Sequence, residues 1–301
     1  MPHRYWLASV IRPEPGQIEI SEAEYLALDQ AVESLVSCAE AEENFEGLLD
    51  GYIEFESFLL SEALQALFWR NRDDVQDQAR RTSAGRKLSY FLSSAQFYLD
   101  SIQRLGCAVL GDKTNTVLTR CMSREFDGSL SYRIMECLRD HAQHRAFPVH
   151  GYILSRQKTE DLAYQDFSFI PTLDLTELIA NHRLRKKTIK EIRIMAGPSS
   201  IDIKPLARSY LESLLNIRQA FRLATSKTVD RHVQLIGETK AKMLANFPEV
   251  TKLGCAIITV DETGKRVGEP INLTNTLDNY VEFLLGRNRF LSNFSRRRVV
   301  Y

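Results

Sequence analysis

Apolar residues recur along this chain mainly at the three-and-four spacing of helices. Leu28, Val32 and Leu35 repeat that way after Ser21, and Ser21 with Glu24 spells an S-x-x-E capping box that marks a helix start. A second helical stretch runs from about Glu42 to Trp69, with Leu60, Ala63, Leu64, Leu67 and Phe68 as its apolar stripe. A third spans about Asp74 to Leu105, where Phe91, Ala95, Tyr98, Ile102 and Leu105 step by 4, 3, 4 and 3. Leu130, Ile134 and Cys137 open a fourth. Pro148 ends it, because proline lacks a backbone donor and disfavours helical geometry in the residue before it. Helix returns at about Asp174–Leu184, at Ile203–Asn246 with a break near Thr225, and at Asn275–Phe290.

Short β-patterned runs interrupt these helices. Residues 4–12 form one, followed by the turn-like PEPGQ. His150–Arg156 and Leu162–Ile170 flank the polar turn QKTED, and Cys255–Val260 and Val267–Leu273 flank DETGKR, where Gly264 supports the turn. The predicted fold class is mainly α: a helical bundle with small antiparallel β hairpins. The hairpins lie between helices, so residues 1–301 read as one composite domain. Within it are a helical region at about 21–148, a hairpin with long helices at about 149–246, and a C-terminal hairpin and helix at about 250–301. The tail SRRRVVY reads as frayed.

Charge changes this picture through its distribution rather than its sum, which is zero. From Pro13 to Trp69 there are 14 acidic residues and no Lys or Arg; from Arg70 to Tyr301 there are 37 bases against 25 acids. Two readings follow: a solvated acidic helix face, or a surface that repels RNA or docks on a basic partner. The cysteines, Cys38, Cys107, Cys121, Cys137 and Cys255, show neither CxxC nor zinc spacing. No secretory signal and no membrane-length apolar run accompany them, so reduced thiols in a cytoplasmic protein, with no membrane partner, are expected.

The stretch that carries chemistry is Arg139-Asp140-His141-Ala142-Gln143-His144, at the end of the fourth helix. It pairs a fixed cation with an imidazole that titrates near neutral pH. Cleaving RNA needs both, since RNA brings its own 2′-hydroxyl nucleophile. His144 could accept that proton or protonate the leaving 5′-oxygen, and Arg139 could hold the phosphate. Asp140, four residues before His144, shares its helix face and could orient it. Geometry restricts the pairing: five helical positions at 100° each put Arg139 and His144 about 140° apart around the axis. His144 falls on the apolar stripe and Arg139 points away from it. The two converge if the helix end unwinds, if the long arginine curls round, or if a second subunit completes the site.

This motif resembles the HEPN family of helical proteins, defined by an arginine, a polar residue, and a histidine after four to six positions. RDHAQH matches the shortest spacing, with Asp140 at the polar position. The resemblance covers the motif and its helical surroundings. It implies a metal-independent endoribonuclease with Arg139, Asp140 and His144 as catalytic residues, needing no cofactor. It further implies RNA as substrate, 2′,3′-cyclic phosphate products, a homodimer with two motifs along one cleft, and a role in toxin–antitoxin or phage defence with an antitoxin or other partner protein. One subgroup carries a tyrosine two residues after the histidine; Ala146 stands there, so tyrosine adenylylation is not implied.

Other constellations give rival expectations. Glu136, Asp140 and His144 recur every fourth position and His141 with His144 makes H-x-x-H, a candidate metal set that lacks a matching set on a second helix. The basic run His182–Arg193, with Arg183, Arg185, Lys186 and Lys187, could track an RNA backbone or simply be solvated helix charge. The alternative to an enzyme is a non-catalytic helical scaffold or RNA-binding protein that acts through protein–protein docking.

Overall fold

In the computed structural model, which describes residues 3–9, 16–68, 73–144, 147–158, 165–179, 186–196, 200–247, 255–273, 275–287 and 292–297, the Ser21 capping box forms. Glu24 Oε2 accepts the Ser21 N–H at 2.8 Å, and Ser21 Oγ accepts the Glu24 N–H at 3.2 Å. This starts α1 (Glu22–Gln65), a single 44-residue helix where the sequence suggested two. The acidic stretch between them stays helical because glutamate is a good helix former and Glu42 is neutralised by a tertiary partner, Arg222. Next come α2 (Asp74–Leu110), α3 (Asp112–Gly128) and α4 (Leu130–His144). Gly111, at φ 64, closes α2 by donating its N–H to the Cys107 carbonyl at 2.8 Å.

β3 (Gly151–Lys158) and β4 (Gln165–Asp174) form the expected hairpin, and β5 (Ser200–Asp202) adds a third antiparallel strand beside β4. Between β4 and β5 lie α5 (Leu175–Ile179) and α6 (Lys186–Ala196). α7 (Ile203–Asn246) does not break near Thr225; the Thr225 hydroxyl donates back to the Phe221 carbonyl at 3.0 Å, which a helix tolerates. A second antiparallel sheet has the order β2-β1-β6-β7, from β1 (Arg4–Ser9), β2 (Gln17–Ile20), β6 (Cys255–Val260) and β7 (Arg266–Leu273). The β6–β7 turn uses Gly264 at φ 78, as its position in the turn required. α8 (Asn275–Arg287) follows. The protein is therefore mainly α with small antiparallel sheets. Among the described residues no helix is long and apolar enough to cross a membrane.

The chain divides into two compact units. The first comprises Met1–Glu43, Ile102–Val117 and Phe221–Phe290, and the second Asn44–Ser101, Leu118–Ala220 and Leu291–Tyr301. The first unit buries Leu7, Leu28, Leu35, Ile236 and Ile257. The second buries Phe45, Phe55, Phe91, Tyr98 and Tyr210, large side chains whose burial contributes about 1.5–3 kcal/mol each. There α1 and α2 approach closely at Gly51, where a Cβ would stand 3.2 Å from Phe91 Cα.

The acidic third has an internal use. In the first unit α1 presents Glu24 to Lys242, Glu40 to Arg104 and Glu42 to Arg222. In the second it presents Glu54 to Lys87, Glu56 to Arg208 and Glu62 to Arg80. Partner numbers fall as α1 numbers rise, so within each unit α1 runs antiparallel to α2 and α7. The carboxylates concentrated in α1 and the bases of later helices are thus two halves of one ladder. Glu22, Glu33 and Asp50 on the same helix are exposed, so part of α1 also presents the solvated acidic face that the sequence suggested.

Candidate functional site

α4 is helical through His144, so the motif lies on continuous helix and the end does not unwind within it. The helix buries Ile134, Cys137, Leu138, Met135 and Tyr132, a wider arc than the single expected stripe. That width corrects the expected outward direction of Arg139. Its side chain is only 19% exposed, and its Nη1 lies 3.1 Å from Glu136 Oε2, one turn back. Glu136 Oε1 accepts the hydroxyl of Tyr210, on α7, at 2.6 Å. The Tyr210 ring lies 5.1 Å from that of Tyr132 and 5.9 Å from that of Phe91. Burial pushes both tyrosine hydroxyls above their ordinary range, and the Glu136 charge pushes them the same way. They are therefore neutral donors at physiological pH.

The guanidinium of Arg139 is not fully used. Its Nε is buried and meets no acceptor among the described residues. Arg208 and Arg222 differ: each grips a carboxylate with two nitrogens, at 2.8 and 3.1 Å on Glu56 and at 2.7 and 2.8 Å on Glu42. A buried donor left open costs about 1–3 kcal/mol, so the gap is a feature to be explained.

Asp140 is half-buried beside this cluster. His144 belongs to α4 by its backbone, and its side chain lies outside the described residues, as do Arg145, Ala146, Arg183 and Arg185. Lys186 and Lys187 are exposed in the first turn of α6, and Lys187 Nζ stands 4.0 Å from Glu191. A single chain with α4 regular to His144 leaves the Arg139 and His144 Cα–Cβ directions about 140° apart.

Sequence reasoning did not place two other groups at this site. His150 is fixed from three sides. Its N–H donates to the Thr172 carbonyl at 3.0 Å, and its carbonyl accepts from Arg81 Nη1 at 3.3 Å. Its Nδ1 accepts the Asp174 N–H at 2.9 Å, so the neutral ring carries its proton on Nε2, 3.5 Å from Glu177 Oε2. The His141 ring stands edge-on to it at 5.9 Å. Tyr210 is the other, and no local signal ties it to Glu136, 74 residues away. The Glu136–Arg139 spacing was the legible half of that cluster. Glu136 has both oxygens committed, which removes it from the candidate metal set. Among the described residues no three His, Cys, Asp or Glu side chains gather to hold a metal ion.

No family model, curated protein or solved structure matches this chain.

Proposed function

We propose that the protein is a metal-independent endoribonuclease of HEPN type, acting in the cytoplasm on RNA, with an active unit that contains two copies of the chain. The observation that supports this most is the half-used Arg139: one nitrogen holds Glu136, while the buried Nε has no acceptor among the described residues. Arg208 and Arg222 instead grip their carboxylates with two nitrogens each, whereas Arg133 leaves its Nε open in the same way as Arg139. An open donor on Arg139 suits a phosphate oxygen that arrives with substrate. The 140° divergence along α4 makes a second chain the simplest way to put an imidazole opposite that guanidinium.

The chemistry assigns His144 the proton transfer, Arg139 the transition-state charge, and Asp140 the orientation of His144. The test uses the full chain with labelled RNA in EDTA. His144→Gln should lower cleavage about 10²–10⁴-fold. Arg139→Lys keeps a charge for Glu136 but loses the fork, and should lower it at least about tenfold without changing the melting temperature. The products should carry 2′,3′-cyclic phosphate and 5′-hydroxyl ends. Undiminished cleavage by both variants overturns the assignment.

A second reading, a non-catalytic scaffold, is favoured by one observation: Leu60 and Leu64 are exposed on α1 and Leu67 in the turn that follows it. RNA binding without cleavage, or neither, selects it.

A further inference from the structure

In the second unit, β4 is paired along nearly its whole length on one side and only at one end on the other. β3 covers Gln165–Thr172, from Lys158 opposite Gln165 to Gly151 opposite Thr172. β5 reaches only Thr172, Leu173 and Asp174, because Ile203 already begins α7. The backbone polar groups of successive residues turn to opposite edges of an antiparallel strand. The Thr172 carbonyl and the Asp174 N–H both turn to His150, on the β3 side, at 3.0 and 2.9 Å. The N–H and C=O groups of Phe167 and Phe169 therefore point the other way, to an edge that no strand of the described residues covers. Pro171 has the same phase and no N–H to leave unpaired, which suits an open edge.

That edge borders a groove of about 990 Å³. All five residues from Gln165 to Phe169 line it, although successive side chains leave a strand on opposite faces, so the groove follows the backbone edge itself. Its other wall is apolar: Leu60 and Leu64 of α1 and Leu67 in the turn after it, all exposed. The Phe169 ring lies 6.0 Å from that of Phe58, edge-on, so the Phe167–Phe169 face of the strand is turned toward α1. Strand edges left to water are ordinarily blunted by charge, proline or a bulge. Asp166 and Pro171 do this at the two ends, and the stretch between them is unguarded. Donors and acceptors at strand spacing are matched by another extended backbone, and the apolar wall by alternate side chains of that same segment.

Charge sets the sequence of the occupant. Register puts Asp202 opposite Thr172, so Lys204, two residues on, lies at the Thr172 end of the groove, and Asp166 lies at the other end. Neither belongs to an ion pair of the described residues, whereas Arg208 in the same groove is held by Glu56. Asp202 accepts the Lys204 backbone N–H at 2.8 Å and so caps α7. A segment that continues the line of β5, antiparallel to β4, meets a cation first and an anion about four residues later. We propose that the open edge of β4 takes up an extended peptide of a partner protein by strand addition, with the pattern acidic, apolar, polar, apolar, basic. The two apolar residues lie opposite Phe169 and Phe167, exchange backbone hydrogen bonds with them, and turn their side chains onto Leu60 and Leu64. This goes beyond the ribonuclease reading and does not rest on it, since no residue of the Arg139 cluster takes part.

Fluorescence polarisation of the full chain with a labelled heptapeptide, TEVTVKT, tests it. Binding should saturate in the micromolar range. N-methylation of both valines removes the N–H groups aimed at β4 and should weaken binding at least about tenfold. N-methylation of the middle threonine, whose N–H points away from β4, should change it by less than about threefold. The charge-inverted peptide TKVTVET should bind the wild type about tenfold more weakly, and Lys204→Glu combined with Asp166→Lys should reverse that preference. Leu64→Glu should abolish binding with an unchanged melting temperature, as a 59% exposed side chain permits. No saturation up to about 1 mM, equal losses from the two methylations, or a charge preference that the double variant leaves unreversed would each overturn the proposal. A wild-type dimer in sedimentation velocity that Leu64→Glu dissociates would give the edge to a second copy and overturn it too. Loss of RNA cleavage with peptide binding intact bears only on the ribonuclease reading.

Discussion

Two rungs of the first unit's ladder look alike in sequence and differ in kind. Glu42 meets Arg222 through two hydrogen bonds, with side chains 3% and 16% exposed. Glu24 meets Lys242 at 3.1 Å, with side chains 48% and 46% exposed. Removing water from two charges is expensive, and a buried pair recovers that cost only through short, bidentate contacts. An exposed pair keeps its water and gains little. The planar guanidinium sits where geometry must be exact to be affordable, and the flexible ammonium sits where nothing demands it. Identical formal charges thus fix the helix packing at one rung and merely decorate it at the other.

The largest expected effect lies at the inner rung. Arg222→Ala leaves Glu42 buried without its guanidinium and should lower unfolding free energy by about 3–5 kcal/mol in urea titrations. Replacing both partners, Glu42→Leu with Arg222→Leu, should recover most of the loss, because the penalty comes from an orphaned charge rather than a missing bond. A double variant as unstable as Arg222→Ala alone would mean that the pair itself supplies stability, and the contrast with the outer rung would narrow.

The same distinction separates what the sequence made legible from what it hid. Amphipathic spacing located α2 and α4, because each buries a continuous stripe: Phe91, Ala95, Tyr98, Ile102 and Leu105 are all buried, as their periodicity predicts. The capping box at Ser21 and the Gly264 turn were legible because their signals span five residues or fewer. α3 was not assigned, since it buries only Leu118 and Cys121 among its described side chains, too little for a pattern. β2 was not assigned, its first residue Gln17 falling in the turn-like PEPGQ, because four residues, of which only Ile20 is buried, show no alternation long enough to read. The acid–base ladder escaped because its rungs join residues up to 218 apart, and composition can show an asymmetry without showing where it is neutralised. At the candidate site, Arg139, Asp140 and His144 were visible as a motif. The direction of Arg139 was not, because it depends on Tyr210 of a distant helix holding Glu136.

A smaller effect asks where Arg139 stands between those two rungs. Its partner Glu136 is 18% exposed and also accepts the Tyr210 hydroxyl. Tyr210→Phe removes a hydrogen bond to a charged acceptor and should cost about 1.5–3 kcal/mol. If Glu136 is thereby left to Arg139 alone, the guanidinium is held more tightly by its carboxylate. Cleavage should then fall by more than the stability loss explains, when compared at a temperature where both proteins are fully folded. Stability lost without any change in cleavage would class Arg139 with Arg222, as a purely structural arginine.

The outer rung gives the smallest effect and the sharpest sign. The Ser21 backbone N–H, Lys242 and the Ser21 hydroxyl all stabilise the charged form of Glu24 and hold its carboxyl below the usual range. The folded state therefore binds this proton less readily than the unfolded chain does. Its stabilisation is complete above the ordinary carboxylate value of about 4.5 and is lost as pH falls through the lower folded value. Because the side chain is half exposed, solvent screens most of the Lys242 contribution, and the cap should dominate. Glu24→Ala should cost about 1 kcal/mol at neutral pH and close to nothing at the acid end of that window, with the comparison made by urea titration at each pH. Raising salt to about 0.5 M should leave most of the neutral-pH difference in place, since a backbone-capping hydrogen bond is screened far less than an exposed ion pair. A difference that salt removes entirely would shift the credit from the cap to Lys242, and the outer rung would then resemble the inner one more than its exposure allows.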